Sequence, residues 1–228
     1  ACAEVLVKLG ESLDVTEEQK SLNKAYGYNQ LGNGEPMAAP LIVYATRTWA
    51  DMVIEDMDTG MGEPSPPMGR DSPTPPAPPS TLPDLPQDYA CLAVDSKNAY
   101  GSILRSVMLR GARVRTPRIA SRQATQWSRP TTAWVKLEGV WTRLSTQRGG
   151  WQGSHLMMNM FALGLEGAFE PREHLLTDLG IARLRYADDL HLYGKVAALM
   201  QRWPLVVGIL GAAGLEVQPT KSKFWSPT

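Results

Sequence analysis

The chain has 228 residues, of which 43% are hydrophobic and 20% charged, and this composition is typical of a folded protein with a sizeable core. Its net charge of zero hides an asymmetry that favours nucleic-acid contact: residues 1–95 hold 5 Lys/Arg against 15 Asp/Glu, and residues 96–228 hold 18 against 8. With no apolar run of roughly 18 residues, no signal segment and no cysteine framework, we expect an intracellular protein of the nucleus or cytoplasm, neither secreted nor membrane-bound.

Composition divides the chain into three parts. Ten of the 18 prolines lie between Pro64 and Pro86, which predicts an extended linker over residues 64–87, with a ligand for a proline-recognising domain as the alternative interpretation. The preceding segment, 1–63, carries no evident chemistry, and residues 88–228 form the main domain. Because the chain lacks an initiating Met and its last residues directly follow an apolar segment, we expect it to be a fragment.

Hydrophobic periodicity predicts alternating strands and helices in the main domain. In chain order, the predicted elements are a strand over 89–94, a helix to about residue 110, a hairpin over 133–144 around Gly139, a buried helix over 156–169, two strands around residues 187–189, a helix over 204–214, and a short strand near Lys221. This order indicates an α+β fold with an antiparallel sheet and helices packed on one face.

The sequence Tyr186-Ala187-Asp188-Asp189 is the strongest chemical feature of the main domain. Two adjacent carboxylates in a turn between apolar strands repel each other, and a divalent cation with a preference for oxygen ligands would relieve that repulsion. A solvated acidic turn is the simpler interpretation. Asp95 also ends an apolar strand, however, so the sheet could present Asp95 and Asp188 to the same pair of metal ions, as in two-metal phosphoryl transfer.

Four motifs in order resemble those of reverse transcriptases, especially the LINE-like (non-LTR) retrotransposon and group II intron types. Asp95 is followed five residues later by Tyr100, as in the first palm motif of that family. The sequence of residues 148–153, RGGWQG, is similar to the family's RG-x-x-QG motif. The turn at residues 186–189 is similar to the metal-binding turn in its LINE-like form, with Ala second, and residues 214–221 resemble a glycine-led strand that ends on lysine.

The resemblance implies a role for each matching residue. Asp95 and Asp188 would bind two Mg²⁺ ions, or Mn²⁺ in their place, with Asp189 as a less direct third acid. Tyr100 would be a steric gate against the ribose 2′-hydroxyl. Gln152 and Gly153 would line the nucleotide pocket, and Lys221 would lie near the leaving pyrophosphate. The implied fold is a right-hand polymerase palm with incomplete fingers and thumb, in which residues 1–63 would be degenerate fingers.

A basic stretch supports nucleic-acid binding independently of the motifs. Between Ser96 and Leu137 there are nine Lys/Arg and no acid, and such residues bind phosphates without regard to sequence. The residues that we expect to contact nucleic acid are Arg113, Arg115, Arg118 and Arg122. Trp127 and Trp134 are candidates for stacking on bases.

Two functions follow from these patterns. The first is an RNA-directed DNA polymerase that uses an RNA template, a DNA primer and dNTPs. The alternative is an incomplete or decayed palm that binds nucleic acid without catalysis. Neither implies a membrane partner, and the sequence predicts no particular oligomeric state.

Overall fold

The computed structural model describes residues 89–150, 154 and 156–226, together with Leu22. The predicted linker, the rest of the N-terminal segment, and Gln152 and Gly153 lie outside the described residues. The elements from residue 89 onward are β1 (Tyr89–Val94), α1 (Ala99–Ser102), α2 (Arg105–Arg115), α3 (Pro117–Gln126), β2 (Thr131–Leu137), β3 (Val140–Thr146), α4 (Met157–Phe169), a 3-10 turn (Glu170–Arg172), α5 (Glu173–Thr177), β4 (Ala182–Tyr186), β5 (Asp189–Lys195), α6 (Val196–Ala212) and β6 (Lys223–Trp225).

A four-stranded antiparallel sheet carries the candidate site. Its strand order is β4-β5-β1-β6, so the first strand of the domain lies between two elements that are far along the chain. In β1, Val94 pairs with Leu190 of β5. The predicted α+β fold with an antiparallel sheet and helices is confirmed.

A second, two-stranded sheet is formed by β2 and β3 alone. Its two-residue turn consists of Glu138 and Gly139, with φ values of 48° and 86°, and positive φ at both positions is what a tight hairpin turn of the favoured handedness requires. The predicted hairpin is confirmed and extends two residues further at each end than the alternating pattern indicated.

Helices α2 and α4 approach each other closely because glycines face each other at their crossing. A Cβ atom on Gly111 would lie 2.0 Å from the carbonyl oxygen of Leu163, and one on Gly164 would lie 2.9 Å from the Cα atom of Met108. Only glycine permits this backbone contact. The crossing brings α4, ten of whose 13 residues are buried, against α2.

The hydrophobic core is continuous between the sheet and the helices. Its fully buried side chains include Ile103, Met108, Phe161 and Leu163. Leu22 of the N-terminal segment is also fully buried and belongs to the same cluster. None of the described helices combines the length and the apolar character that crossing a membrane requires.

Three predicted boundaries were wrong. The helix expected to continue from residue 103 to about Arg110 is split into α1 and α2, because the Leu104 N–H instead donates to the carbonyl of Ala213 at 2.9 Å, and α2 then runs on to Arg115. The last long helix begins at Val196, with Pro204 in its interior, although the sequence suggested a start at Pro204.

The third error concerns the segment before Lys221. Val217 makes one isolated bridge with Ser96, residues 219–221 form a turn, and the strand begins only at Lys223. Lys221 therefore lies in an exposed turn before the strand and does not end one.

Candidate functional site

The acidic turn lies at one edge of the large sheet, next to the end of β1. Tyr186 of β4 pairs with Asp189 of β5, so Ala187 and Asp188 form a two-residue turn, in which Ala187 has a φ of 54°. Continuing the β1–β5 register by one residue beyond Val94 places Asp95 opposite Asp189. The fold thus brings Asp95 beside the Asp188–Asp189 pair, from which it is separated by more than 90 positions in the sequence.

The pKa of Asp189 responds to the charges of the other two acids. The pKa of Asp189 is raised, mainly by partial burial and then by the negative charge of Asp188, with a smaller contribution from Asp95. His191 opposes this shift. Mutual repulsion at a sheet edge destabilises the charged protein, and a cation between the acids would reverse that effect.

Both backbone polar groups of Asp95, the N–H and the carbonyl, form hydrogen bonds with the segment that precedes β6. The Asp95 N–H donates to the Ser222 hydroxyl at 3.1 Å, and the Gln218 N–H donates to the Asp95 carbonyl at 2.8 Å. The Ser222 hydroxyl in turn donates to the Gln218 carbonyl at 3.0 Å. Residues around the fourth motif therefore position the first acid through the backbone, a role that the sequence did not reveal.

Tyr100 lies between the acidic turn and the helical core. Its ring centroid is 4.7 Å from that of Phe161 in α4. Partial burial raises the pKa of Tyr100 to about 12, and the charges of Asp188 and Asp189 add to that rise. The hydroxyl is therefore neutral over the physiological range, and the side chain is near enough to the acids to respond to their charge.

The loop before α4 is tied to the residues around Tyr100. Gly149 has a φ of 54°, and a Cβ atom there would lie 2.3 Å from the Tyr100 carbonyl oxygen. The Gly150 N–H donates to the same carbonyl at 3.2 Å. These contacts bring Gly149 and Gly150, near the start of the RG-x-x-QG motif, beside Tyr100. The roles predicted for Gln152 and Gly153 stay predictions.

Two buried arginines fix β4 against α4, and the sequence analysis missed them. Arg183 donates to Glu173 at 2.9 Å and to Glu166 at 3.0 Å, and Arg185 also donates to Glu166. Burial lowers the pKa of Arg185 to about 10, against the opposing effect of Glu166, so the guanidinium keeps its charge at neutral pH. The sequence did contain a signal for these ion pairs. Arg183 and Arg185 occupy alternate positions of a strand, and Glu166 is the one acid in an apolar helix.

The basic stretch does not form one uniform surface. Arg105 is buried, donates to the Gly149 carbonyl at 2.9 Å, and lies 5.3 Å from the ring centroid of Trp127. Arg115 pairs with Glu170 at 2.6 Å, and only 13% of its side chain is exposed. Arg113, Arg118 and Arg122 are exposed.

The chemistry of the acids fits a hard divalent cation, because carboxylate oxygens are the ligands that Mg²⁺ prefers. Among residues 89–150, 154 and 156–226, however, no three His, Cys, Asp or Glu side chains are already grouped as a metal site. It therefore stays a prediction that one metal site is shared by Asp95, Asp188 and Asp189.

No family model matches the chain, and no curated protein matches it either. Solved structures of telomerase share its fold. Apo telomerase from Candida tropicalis superimposes with a TM-score of 0.60 at 12% identity, covering 95% of this chain and 37% of the telomerase chain. Telomerase from Candida albicans, in complex with a TWJ fragment of telomeric RNA, gives 0.52 at 13% identity, covering 97% and 35%.

These similarities define the class of fold: an α+β, palm-like fold of the kind that the telomerase structures contain. The chain spans well under half the length of the telomerase chains that it matches.

Proposed function

We propose that this chain is the palm of an RNA-directed DNA polymerase, which joins a dNTP to the 3′-hydroxyl of a DNA primer on an RNA template. The observation that carries the proposal is the meeting of Asp95, the Asp188–Asp189 turn and Tyr100 at one edge of a palm-type sheet. Telomerase of the same fold has been solved with RNA, which supports nucleic-acid partners for this chain. The Ala at position 187 supports a LINE-like subtype.

In this proposal the side chains divide the work of the reaction. Asp95 and Asp188 would hold Mg²⁺, with Asp189 beside them, and the bound metal would supply charge stabilisation for the displacement at the α-phosphate. Tyr100 would limit the space beside the sugar, and its neutral hydroxyl avoids adding a charge there. The hydrogen bonds from Gln218 and to Ser222 keep Asp95 in place while charge develops nearby.

The decisive test is Asp188→Asn, assayed for primer extension on a labelled RNA/DNA hybrid with dNTPs and Mg²⁺. Extension should fall to background, because the Asp188 carboxylate would hold the metal that stabilises the transition state. Such a carboxylate contributes little to ground-state binding. Hybrid affinity should stay equal or rise slightly, since a negative charge near phosphates is removed. Asp178→Asn, at an exposed acid in another turn, is the matched control and should extend primers like the wild type.

A decayed palm is the second candidate, and the absence of a ready-made three-residue metal group in the described residues favours it. It predicts a wild-type chain that binds hybrids tightly and extends no primer at any Mg²⁺ or Mn²⁺ concentration. That result would reject the enzyme proposal and keep the binding function.

A further inference from the structure

The β2–β3 hairpin has one face that none of the proposed catalytic residues uses. In its register, Thr132 is opposite Ser145, Trp134 is opposite Arg143, and Lys136 is opposite Trp141. Because side chains alternate along a strand, these six residues share one face, which we call the Trp–Arg face. The Arg143 guanidinium lies 3.5 Å from the Thr132 hydroxyl, as expected for two side chains on the same face.

Both tryptophans of the Trp–Arg face are open to solvent. Trp134 is 63% exposed and Trp141 is 65% exposed. The opposite face of the hairpin is attached to the body of the domain at its base, where Arg105 donates to the Thr131 hydroxyl at 2.7 Å. The hairpin therefore exposes the two rings to solvent on one face, while its opposite face is hydrogen-bonded to the rest of the domain at Thr131.

The charge around the hairpin is positive. Residues 128–148 contain Arg129, Lys136, Arg143 and Arg148, and their one acid is Glu138, at the turn. Lys136 and Arg143 lie directly across from the two tryptophans. Each ring thus has a cation at its side, which is a suitable arrangement for a partner with alternating flat apolar groups and negative charges.

The spacing of the two rings suits stacked bases. Trp134 and Trp141 are diagonal neighbours across the two strands, and such pairs are separated by about 7–8 Å. This is about two stacking steps of roughly 3.4 Å, so one base fits between two rings at that separation.

We propose that the Trp–Arg face binds single-stranded nucleic acid, with bases stacking on Trp134 and Trp141 and phosphates meeting Lys136 and Arg143. The proposal rests on the proposed function, to which it adds a place for the unpaired part of the template. A strand is favoured over a compact partner because exposed basic residues of α2 and α3 precede the hairpin in the chain, and Arg105 of α2 contacts the hairpin at Thr131. An anionic membrane would also attract tryptophans beside cations, and it is one arm of the test.

The test measures binding of a fluorescein-labelled 12-nucleotide oligouridylate by anisotropy over a range of salt concentrations. Trp134→Ala with Trp141→Ala should weaken binding about tenfold or more without changing the salt slope, because stacking is lost and no phosphate contact is. Lys136→Gln with Arg143→Gln should lower the slope by about 1.4, from two lost phosphate contacts on a single strand.

The matched control is Val140→Ala with Leu144→Ala, which removes exposed apolar groups from the opposite face and should leave binding unchanged. Trp134→Phe with Trp141→Phe keeps aromatic rings and should retain most of the affinity. Thermal unfolding of each variant separates lost binding from lost folding.

The proposal is overturned if the alanine pair, folded like the wild type, binds the oligonucleotide equally well, or if it loses only affinity for anionic phosphatidylserine vesicles. Failure of the catalytic proposal looks different. A wild-type chain that extends no primer, but whose oligonucleotide affinity still depends on the two tryptophans, rejects catalysis and supports the Trp–Arg face.

Discussion

Tyr100 shows how much a single side chain depends on distant parts of the chain. Its helix follows β1, its ring packs on Phe161, its carbonyl accepts the Gly150 N–H, and the charges that raise its pKa come from the β4–β5 turn. Spacing from Asp95 identified the residue, but only the fold could place it near the acidic turn.

We expect Tyr100→Ala to retain primer extension with dNTPs and to admit rNTPs, because only the clash with the ribose 2′-hydroxyl is removed. Tyr100→Phe keeps the ring and should discriminate like the wild type. The measurement is the ratio of kcat/KM for dATP and ATP. Equal ratios in Tyr100→Ala and the wild type would remove the steric gate from the mechanism.

Arginine is the residue type for which the sequence was least informative. In the basic stretch it predicted solvated, phosphate-binding side chains, yet Arg105 is buried against Gly149 and Trp127. In β4, Arg183 and Arg185 are buried among acids from two other elements. A guanidinium looks the same in the sequence whether its partner is water, a carbonyl or a carboxylate, and only tertiary contacts separate these cases.

At the scale of elements, the first strand was predicted more accurately than the helices that begin near residue 103 and at Val196. The apolar run predicted as the first strand matches β1 residue for residue. A strand that is covered on both faces needs apolar side chains at successive positions, so its ends are visible in the sequence. Helix α6 was misplaced because its interior Pro204 resembled a first-turn proline, although eight further residues precede it in the helix. The split between α1 and α2 depends on a hydrogen bond to Ala213, more than 100 residues away, which no local pattern contains.

Ion pairs hold β4, the strand that leads into the acidic turn, against α4. Glu166 is 9% exposed; burial alone would raise its pKa, but Arg185 and Arg183 outweigh burial and lower it. A lowered carboxyl pKa means that Glu166 stabilises the fold fully above its unfolded value, about 4.3, and that this stabilisation is lost as the pH falls through the folded value.

We therefore expect Glu166→Gln to reduce the free energy of unfolding by about 3 kcal/mol at pH 7, because two guanidinium groups lose a buried partner. The difference from the wild type should shrink as the pH falls below the unfolded value of about 4.3 and toward the lowered pKa of folded Glu166. Urea denaturation at pH 7 and at a series of lower pH values is the measurement. Glu170→Gln, which removes an exposed partner of Arg115, is the control and should lose less than about 1 kcal/mol; equal losses for the two variants would contradict a positioning role for Glu166.

At the scale of the whole molecule, only some of the basic side chains behind the charge asymmetry are available to bind a partner. Within the basic stretch, Arg105 and Arg115 are engaged by the protein itself, whereas Arg110 and Arg113 of α2 are exposed. The two exposed arginines are three residues apart in one helix, so they face the same direction. The sequence thus predicted a basic stretch and could not separate its exposed charges from its structural ones.

This separation leads to a prediction about salt dependence. Replacing Arg110 and Arg113 together by Gln should weaken RNA/DNA hybrid binding and reduce the slope of log K against log salt by about 1.8, because each lost phosphate contact removes about 0.9. Arg115→Gln is the control: its charge is already offset by Glu170, so it should change the slope by less than either exposed arginine does. A salt titration in which the double variant keeps the wild-type slope, while Arg115→Gln lowers it, would assign the phosphate contacts to the opposite residues. That result would mean that the Arg115–Glu170 pair opens when nucleic acid binds.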